Sequence, residues 1–208
     1  LTNLGGPAWI QRAFDNCGLV IKTGAQVVIE NCGVYGRYNN SDNRSSIKWQ
    51  AVTATCPLIE VSGGSLVLTG ATEVAYTRGG NSSGNRAVSG VVVWNGGSFV
   101  MHKDVSIHDC VNQYENIGNA SGVGGGLLLD NGKATLYGGA ISNCVAYRSA
   151  GVSVGNGSVL EIAGPLIVKD NVSVLIIIVS STDGNCKYFS HKSTKICTSD
   201  RKNRSFLN

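Results

Sequence analysis

Apolar and polar residues alternate along this chain in short bursts, and the bursts recur. Five segments align on a small turn flanked by alternating pairs: LVIKTGAQVVI from Leu19, LIEVSGGSLVL from Leu58, VVVWNGGSFVM from Val91, LLLDNGKATL from Leu127 and VSVGNGSVLEI from Val152. After the turn stand Val27/Ile29, Leu66/Leu68, Phe99/Met101, Ala134/Leu136 and Leu160/Ile162. Before it stand Leu19/Ile21, Val91/Val93, Leu127/Leu129 and Val152/Val154, with Ile59/Val61 of the second segment slipped by one. A period of two is the signature of a strand, whose successive side chains face opposite ways. The Asn-Gly, Gly-Gly and Ser-Gly steps between the pairs supply the positive-φ conformations that other residues resist.

A third apolar stretch follows a second turn: Val105/Ile107 after Lys103-Asp104, Ile141 after Gly138-Gly139, Leu166/Val168 after Gly164-Pro165. Each unit thus holds about three short strands and two tight corners. Val27, Leu66, Phe99, Ala134 and Leu160 follow one another at intervals of 39, 33, 35 and 26 residues. The shortest interval is close to one bare turn of a three-sided coil, and the excess in the others is inserted loop. Asn-Gly links also join antiparallel hairpins. A meander, however, does not require a whole three-strand pattern to recur in phase. A coil does, because like residues stack about 4.8 Å apart on parallel neighbours. The pattern therefore predicts an all-β parallel β-helix, a solenoid of about five coils over residues 19–182, enclosing a column of Val, Leu, Ile, Phe and Met. Ahead of it, residues 1–18 form a cap or a partial coil. Trp9, Ile10, Ala13 and Phe14 have the spacing of one face of a short helix. After Asn171 the repeat stops, and residues 183–208 read as an irregular basic tail.

Charge narrows the functional classes. The formal net charge is +4, but residues 1–182 carry 11 basic and 11 acidic side chains, so the excess lies in the tail. A neutral body lacks the clustered cations that displace phosphate counterions, which argues against nucleic acid as a partner. Gly at 28 residues fits neither a helical bundle nor, without a strict triplet, collagen. The longest apolar run, Val174 to Val179, is far short of the roughly 20 residues of a membrane helix. Because the chain opens at Leu1, it reads as part of something longer.

The units NGGSFVMHKDVSIHDC and NGKATLYGGAISNC resemble the right-handed parallel β-helix repeats of microbial cell-surface proteins, including adhesins and passengers of the polymorphic outer-membrane-protein type. The likeness covers about residues 19–171, and the tetrapeptide GGAI at Gly138 to Ile141 matches the polymorphic-protein repeat. The resemblance implies a right-handed winding, an extracellular or surface location, and adhesion or a structural stalk as the role. Its partner would be a protein or glycan of a host or neighbouring cell.

The insertions fall at one place in the unit, between its last strand and the first strand of the next coil. They run over residues 36–57, 77–89, 113–124 and 146–150 and should project from one edge of the rod. Loops held by a rigid scaffold are where recognition usually sits. Aromatic and Arg side chains are the usual anchors of contacts, and these loops supply Arg37, Tyr38, Arg44, Trp49, Arg78, Arg86 and Tyr114 as candidate binding residues. Four of the seven Asn-x-Ser/Thr sequons, at Asn39, Asn43, Asn81 and Asn119, sit there too; the others are Asn156, Asn171 and Asn203.

Catalytic readings are weaker. His102, Asp104, Ser106 and His108 share one face of an unbroken strand, and a touching Ser/His/Asp set supports acyl transfer. A corner near Lys103 interrupts that strand, and no G-x-S-x-G elbow accompanies it. β-Helix folds also host polysaccharide lyases and glycoside hydrolases, which makes a fragment of a carbohydrate-active enzyme the alternative reading. Hydrolysis wants two carboxylates across one groove. Here Glu60, Glu73, Asp104, Asp109, Asp130, Glu161 and Asp170 recur in no common phase, and Asp109 and Asp170 read as turn formers. The seven Cys include no C-x-x-C spacing, and no cofactor or metal is implied. Cys110 and Cys144 close equivalent positions on adjacent coils and read as stacked buried thiols, with a disulfide as the alternative where geometry allows. Cys186 and Cys197 are close enough in sequence to pair in an oxidising compartment.

Overall fold

The computed structural model describes residues 8–12, 17–36, 56–79, 88–112, 124–155 and 157–175. Their strands stack in four parallel ladders. The first contains Leu19–Lys22, Ile59–Ser62, Val91–Trp94, Leu127–Asp130 and Val152–Val154. The second contains Gln26–Glu30, Ser65–Thr69, Ser98–Met101, Lys133–Leu136 and Val159–Ile162. In the third are Ala8–Gln11, Cys32–Tyr35, Glu73–Ala75, Ser106–His108, Gly139–Ser142 and Leu166–Lys169. Neighbours in each ladder come from successive repeats, so the chain passes from ladder to ladder and then starts again one strand further on. The fold is an all-β parallel solenoid.

A fourth ladder, beyond the three strands per unit that the alternation predicts, contains Arg78–Gly79, Val111–Asn112, Val145–Arg148 and Val172–Leu175. Two of these strands, Arg78–Gly79 and Val111–Asn112, have only two residues, too short to display a period. Arg78–Gly79 lies at the start of the segment assigned to the second insertion, and Val145–Arg148 takes most of the fourth one. Residues 146–150 are therefore largely wall of the solenoid instead of a projecting loop. A second correction concerns the start of the chain. Ala8–Gln11 is a strand paired with Cys32–Tyr35, not a turn of helix; Ile10 stacks beside Val34, and Trp9, opposite Gly33, is 48% exposed. A four-residue apolar segment fits either period, and here the open edge of the neighbouring strand decides.

Register explains the core. Val27, Leu66, Phe99, Ala134 and Leu160 are direct neighbours in the second ladder, and so are Ile29, Leu68, Met101, Leu136 and Ile162. Opposite them Ile21, Val61, Val93 and Leu129 line the first ladder, and Val34, Val74, Ile107 and Ile141 the third. The slip of the second segment is absorbed in its corner, since Ile59 and Val61 pair with Val91 and Val93 in step with the rest. That corner, Gly63-Gly64, is shortened and makes an antiparallel bridge to Lys22. Val92, Leu128 and Ser153 point away from the interior yet are buried, so the runs Val91–Trp94 and Leu127–Asp130 are covered on both faces, whereas Val20 in the first strand is exposed.

The corners follow from residue chemistry. Asn95 and Gly96 both take positive φ, 52° and 77°, the conformations that Asn and Gly adopt most cheaply. At Gly132 the constraint is space, because a Cβ there would meet the Val93 carbonyl oxygen at 2.5 Å. At the corner between the third and fourth ladders Asp109, Asn143 and Asp170 all have φ near 50–55°, so Asp109 and Asp170 are turn formers.

Leu136 is fully buried between Met101 and Ile162 in its column, so Leu136→Ala is expected to cost about 3–4 kcal/mol in urea unfolding. Val67, on the outer face of the same ladder, should tolerate Val67→Thr within about 0.5–1 kcal/mol. Equal losses at the two positions would contradict the inward and outward assignment.

Candidate functional site

On the outer face of the third ladder, two columns of side chains run across successive coils. One reads Gly33, Glu73, Ser106, Ala140, and the other Tyr35, Ala75, His108, Ser142. Residues two apart on a strand share a face, and diagonal neighbours on adjacent strands are within reach of long side chains. This geometry assembles a polar relay. The Tyr35 ring folds back over Gly33, where a Cβ would meet the ring at 2.5 Å. From there its hydroxyl donates to Glu73 Oε2. Glu73 Oε1 lies 2.5 Å from His108 Nε2 on the next strand, and His108 Nδ1 lies 2.6 Å from Asp109 Oδ2 at the corner.

The relay is sheltered. The His108 side chain is 15% exposed, that of Asp109 23% and that of Glu73 34%. Ala75, between the strands of Tyr35 and His108, is fully buried. Tyr76 completes the cluster. Its ring meets His108 edge-on at 5.4 Å and lies 5.8 Å from Tyr35. It does so from a left-handed backbone, φ 62°, at the corner where later coils place Asp109, Asn143 and Asp170. A left-handed conformation costs a bulky residue about 1–2 kcal/mol, and the two aromatic contacts offset it.

Chemically, the imidazole is saturated. Each of its two ring nitrogens lies within hydrogen-bond distance of a carboxylate oxygen. The carboxylates lie on opposite sides of the ring, so their oxygens do not converge on one point. Among the described residues, no group of three or more His, Cys, Asp or Glu could hold a metal ion.

The serine–histidine grouping considered from sequence does not assemble. A corner at Lys103-Asp104 separates His102 from Ser106. His102 instead stacks on Tyr137, with rings 5.4 Å apart and 20° from parallel. Asp104 is exposed, and His108 belongs to the relay. The alternation does place His108 outward, but its partner Glu73 lies 35 residues back in the chain, and Tyr35, which bonds to Glu73, a further 38. Aligning the outward positions of successive third strands is the signal that finds them.

The relay sits at the root of the insertions. Tyr35 and Gly36 lead into the first, Tyr76 and Thr77 towards the second, and Asp109 and Cys110 towards the third. Of the candidate binding residues, Arg78 has its backbone in the fourth ladder. Arg37, Tyr38, Arg44, Trp49, Arg86 and Tyr114 lie outside the described residues, as do Ala13, Phe14, Cys186, Cys197 and the tail from residue 176. Asn171, the start of a sequon, uses its side chain internally: Oδ1 accepts from Cys144 N at 2.9 Å, and Nδ2 donates to the Ile141 carbonyl at 3.0 Å.

Cys110 and Cys144 are fully buried free thiols, and each donates to the carbonyl two residues back at 3.3 Å. The hydrogen bond with Cys144, and then burial, push the Cys110 thiol well above its ordinary range. Comparison of the chain with protein-family models, curated proteins and solved structures finds no match.

A double-mutant cycle of Glu73→Gln and His108→Ala should give a coupling of about 1 kcal/mol in urea unfolding, reduced by salt because Glu73 is partly exposed. A coupling of zero at low salt would mean that the contact contributes no stability.

Proposed function

We propose that this chain is a non-catalytic recognition segment of a cell-surface or secreted protein, a rigid stalk whose insertions along one edge contact a host or neighbouring-cell protein or glycan. The supporting observation is the placement of the Tyr35–Glu73–His108–Asp109 relay. It fastens three consecutive coils to one another at the points where the first three insertions leave the solenoid. Fixing the roots of loops lowers the entropy lost when those loops meet a partner. The microbial surface type that the repeats resemble fits this arrangement, as a rod that separates a contact edge from its anchor.

The carbohydrate-active enzyme is the weaker reading. A hydrolase holds two carboxylates on either side of a glycosidic bond, with space between them for a sugar and a water. Here an imidazole fills the space between Glu73 and Asp109 and takes an oxygen of each. His108 in that position has no ring nitrogen left for a substrate proton.

The full chain is expected to bind a subset of a glycan array or of intact cells and to release neither reducing ends nor unsaturated sugars from the glycans it binds. His108→Ala should weaken that binding several-fold through looser loop roots. Product release abolished by Glu73→Gln or Asp109→Asn would establish the enzyme instead.

A further inference from the structure

We propose that Cys17 and Cys56 form a covalent cross-link site, a disulfide that pins the returning end of the first insertion to the lead of the preceding coil. Cys17 opens the approach to the strand Leu19–Lys22, and Cys56 opens the approach to Ile59–Ser62. These strands are parallel neighbours with Leu19 opposite Ile59, and the pairing extends backwards through the Leu19 N–H to the Leu58 carbonyl at 3.0 Å. Continued two residues further, the register sets Cys17 across from Pro57, next to Cys56. With neighbouring parallel strands about 4.8 Å apart and a rise of about 3.3 Å per residue, this one-residue offset sets the two Cα atoms roughly 5.8 Å apart, within the roughly 4.4–6.8 Å of disulfides.

Both residues are reduced cysteines, Cys17 half-buried and Cys56 buried. Arg12 Nη1 holds the Cys56 carbonyl at 3.3 Å, which fixes the end of the insertion against the first described strand of the third ladder. Of the two stacked thiol pairs, this is the accessible one. Cys17 is partly exposed, whereas Cys110 and Cys144 are both sealed in the core.

Timing follows from the surroundings. Burial first, then the hydrogen bonds to Glu60 and Cys56, push the Cys17 thiol far above its ordinary range, and its Sγ lies 3.1 Å from Glu60 Oε2. The nucleophile of disulfide exchange is the thiolate, so in the folded, reduced protein this pair reacts slowly. The bond therefore forms while the chain folds, with a small-molecule disulfide such as glutathione disulfide as oxidant. One cysteine thiolate attacks a glutathione sulfur and expels a glutathione thiolate, giving a mixed disulfide. The second cysteine thiolate then displaces the other glutathione. The cysteine pair loses two electrons and two protons, and glutathione disulfide becomes two thiols.

The test is oxidative refolding of the full chain in a glutathione buffer, followed by alkylation and peptide mapping. The expected product is a peptide pair joined through Cys17 and Cys56, dominant in buffer and a minor member of the mixture formed in urea. Native reduced protein placed in the same buffer should form it at least several-fold more slowly, and Glu60→Gln should speed that slow reaction. Recovery of Cys17 and Cys56 as alkylated thiols after refolding, their linkage to other cysteines, or an equal yield in buffer and urea would each overturn the proposal. Cys17→Ser and Cys56→Ser identify the peptide and leave the core thiols as an internal control.

Discussion

The structure depends on one constraint, the requirement that parallel strands of successive coils stay in register. Strand N–H and C=O groups bond to the neighbouring coils of the ladder, and the same register lays apolar side chain over apolar side chain. The two effects are inseparable. A one-residue slip would turn Phe99, Met101 and Leu136 outward and carry polar neighbours into the column. The chain meets this constraint despite repeats of unequal length by confining every irregularity to the corners and to one edge. The slipped second segment illustrates it, because the lost residue comes out of the Gly63-Gly64 turn and the ladder continues undisturbed.

Corners are consequently where residue identity is least free. Asn, Asp and Gly hold the positive-φ positions other than Tyr76 and Ser149, and polar side chains close what the ladders leave open. Thr72, buried, donates through its hydroxyl to the Thr69 carbonyl at 2.6 Å. Asn171 closes the next corner in the same manner, with both ends of its amide engaged. Tyr76 is the exception that marks the site. A tyrosine occupies a left-handed corner that later coils give to Asp and Asn, and its ring is what encloses one side of His108.

The relay turns a repetitive wall into a local feature. Ladder faces are built from equivalent positions, so a cluster arises only where different coils contribute different side chains to adjacent sites. Gly33 and Ala75 are part of this arrangement through their smallness, since one lets the Tyr35 ring lie down and the other leaves room between Tyr35 and His108. The outcome is a cross-coil brace at the loop roots, and the same edge carries the Cys17–Cys56 pair at the return of the first insertion. Bracing at both ends of an insertion suits a surface whose loops are presented by a stiff rod.

The sequence by itself determined the strands, their inward and outward faces, the corners and the phase of the repeat. All of these rest on interactions within a few residues, where a period of two and the conformational preferences of Gly, Asn and Asp are visible locally. Tertiary structure alone decided the fourth ladder, whose two shortest strands, Arg78–Gly79 and Val111–Asn112, exist only by pairing, and the strand at Trp9 and Ile10, which the edge at Cys32–Tyr35 draws out of a helical reading. It alone decided the neighbours of His108 as well. Which outward side chain lies beside which depends on the number of residues spent in each insertion, and loops of unequal length erase that distance from the sequence until the ladders close over them.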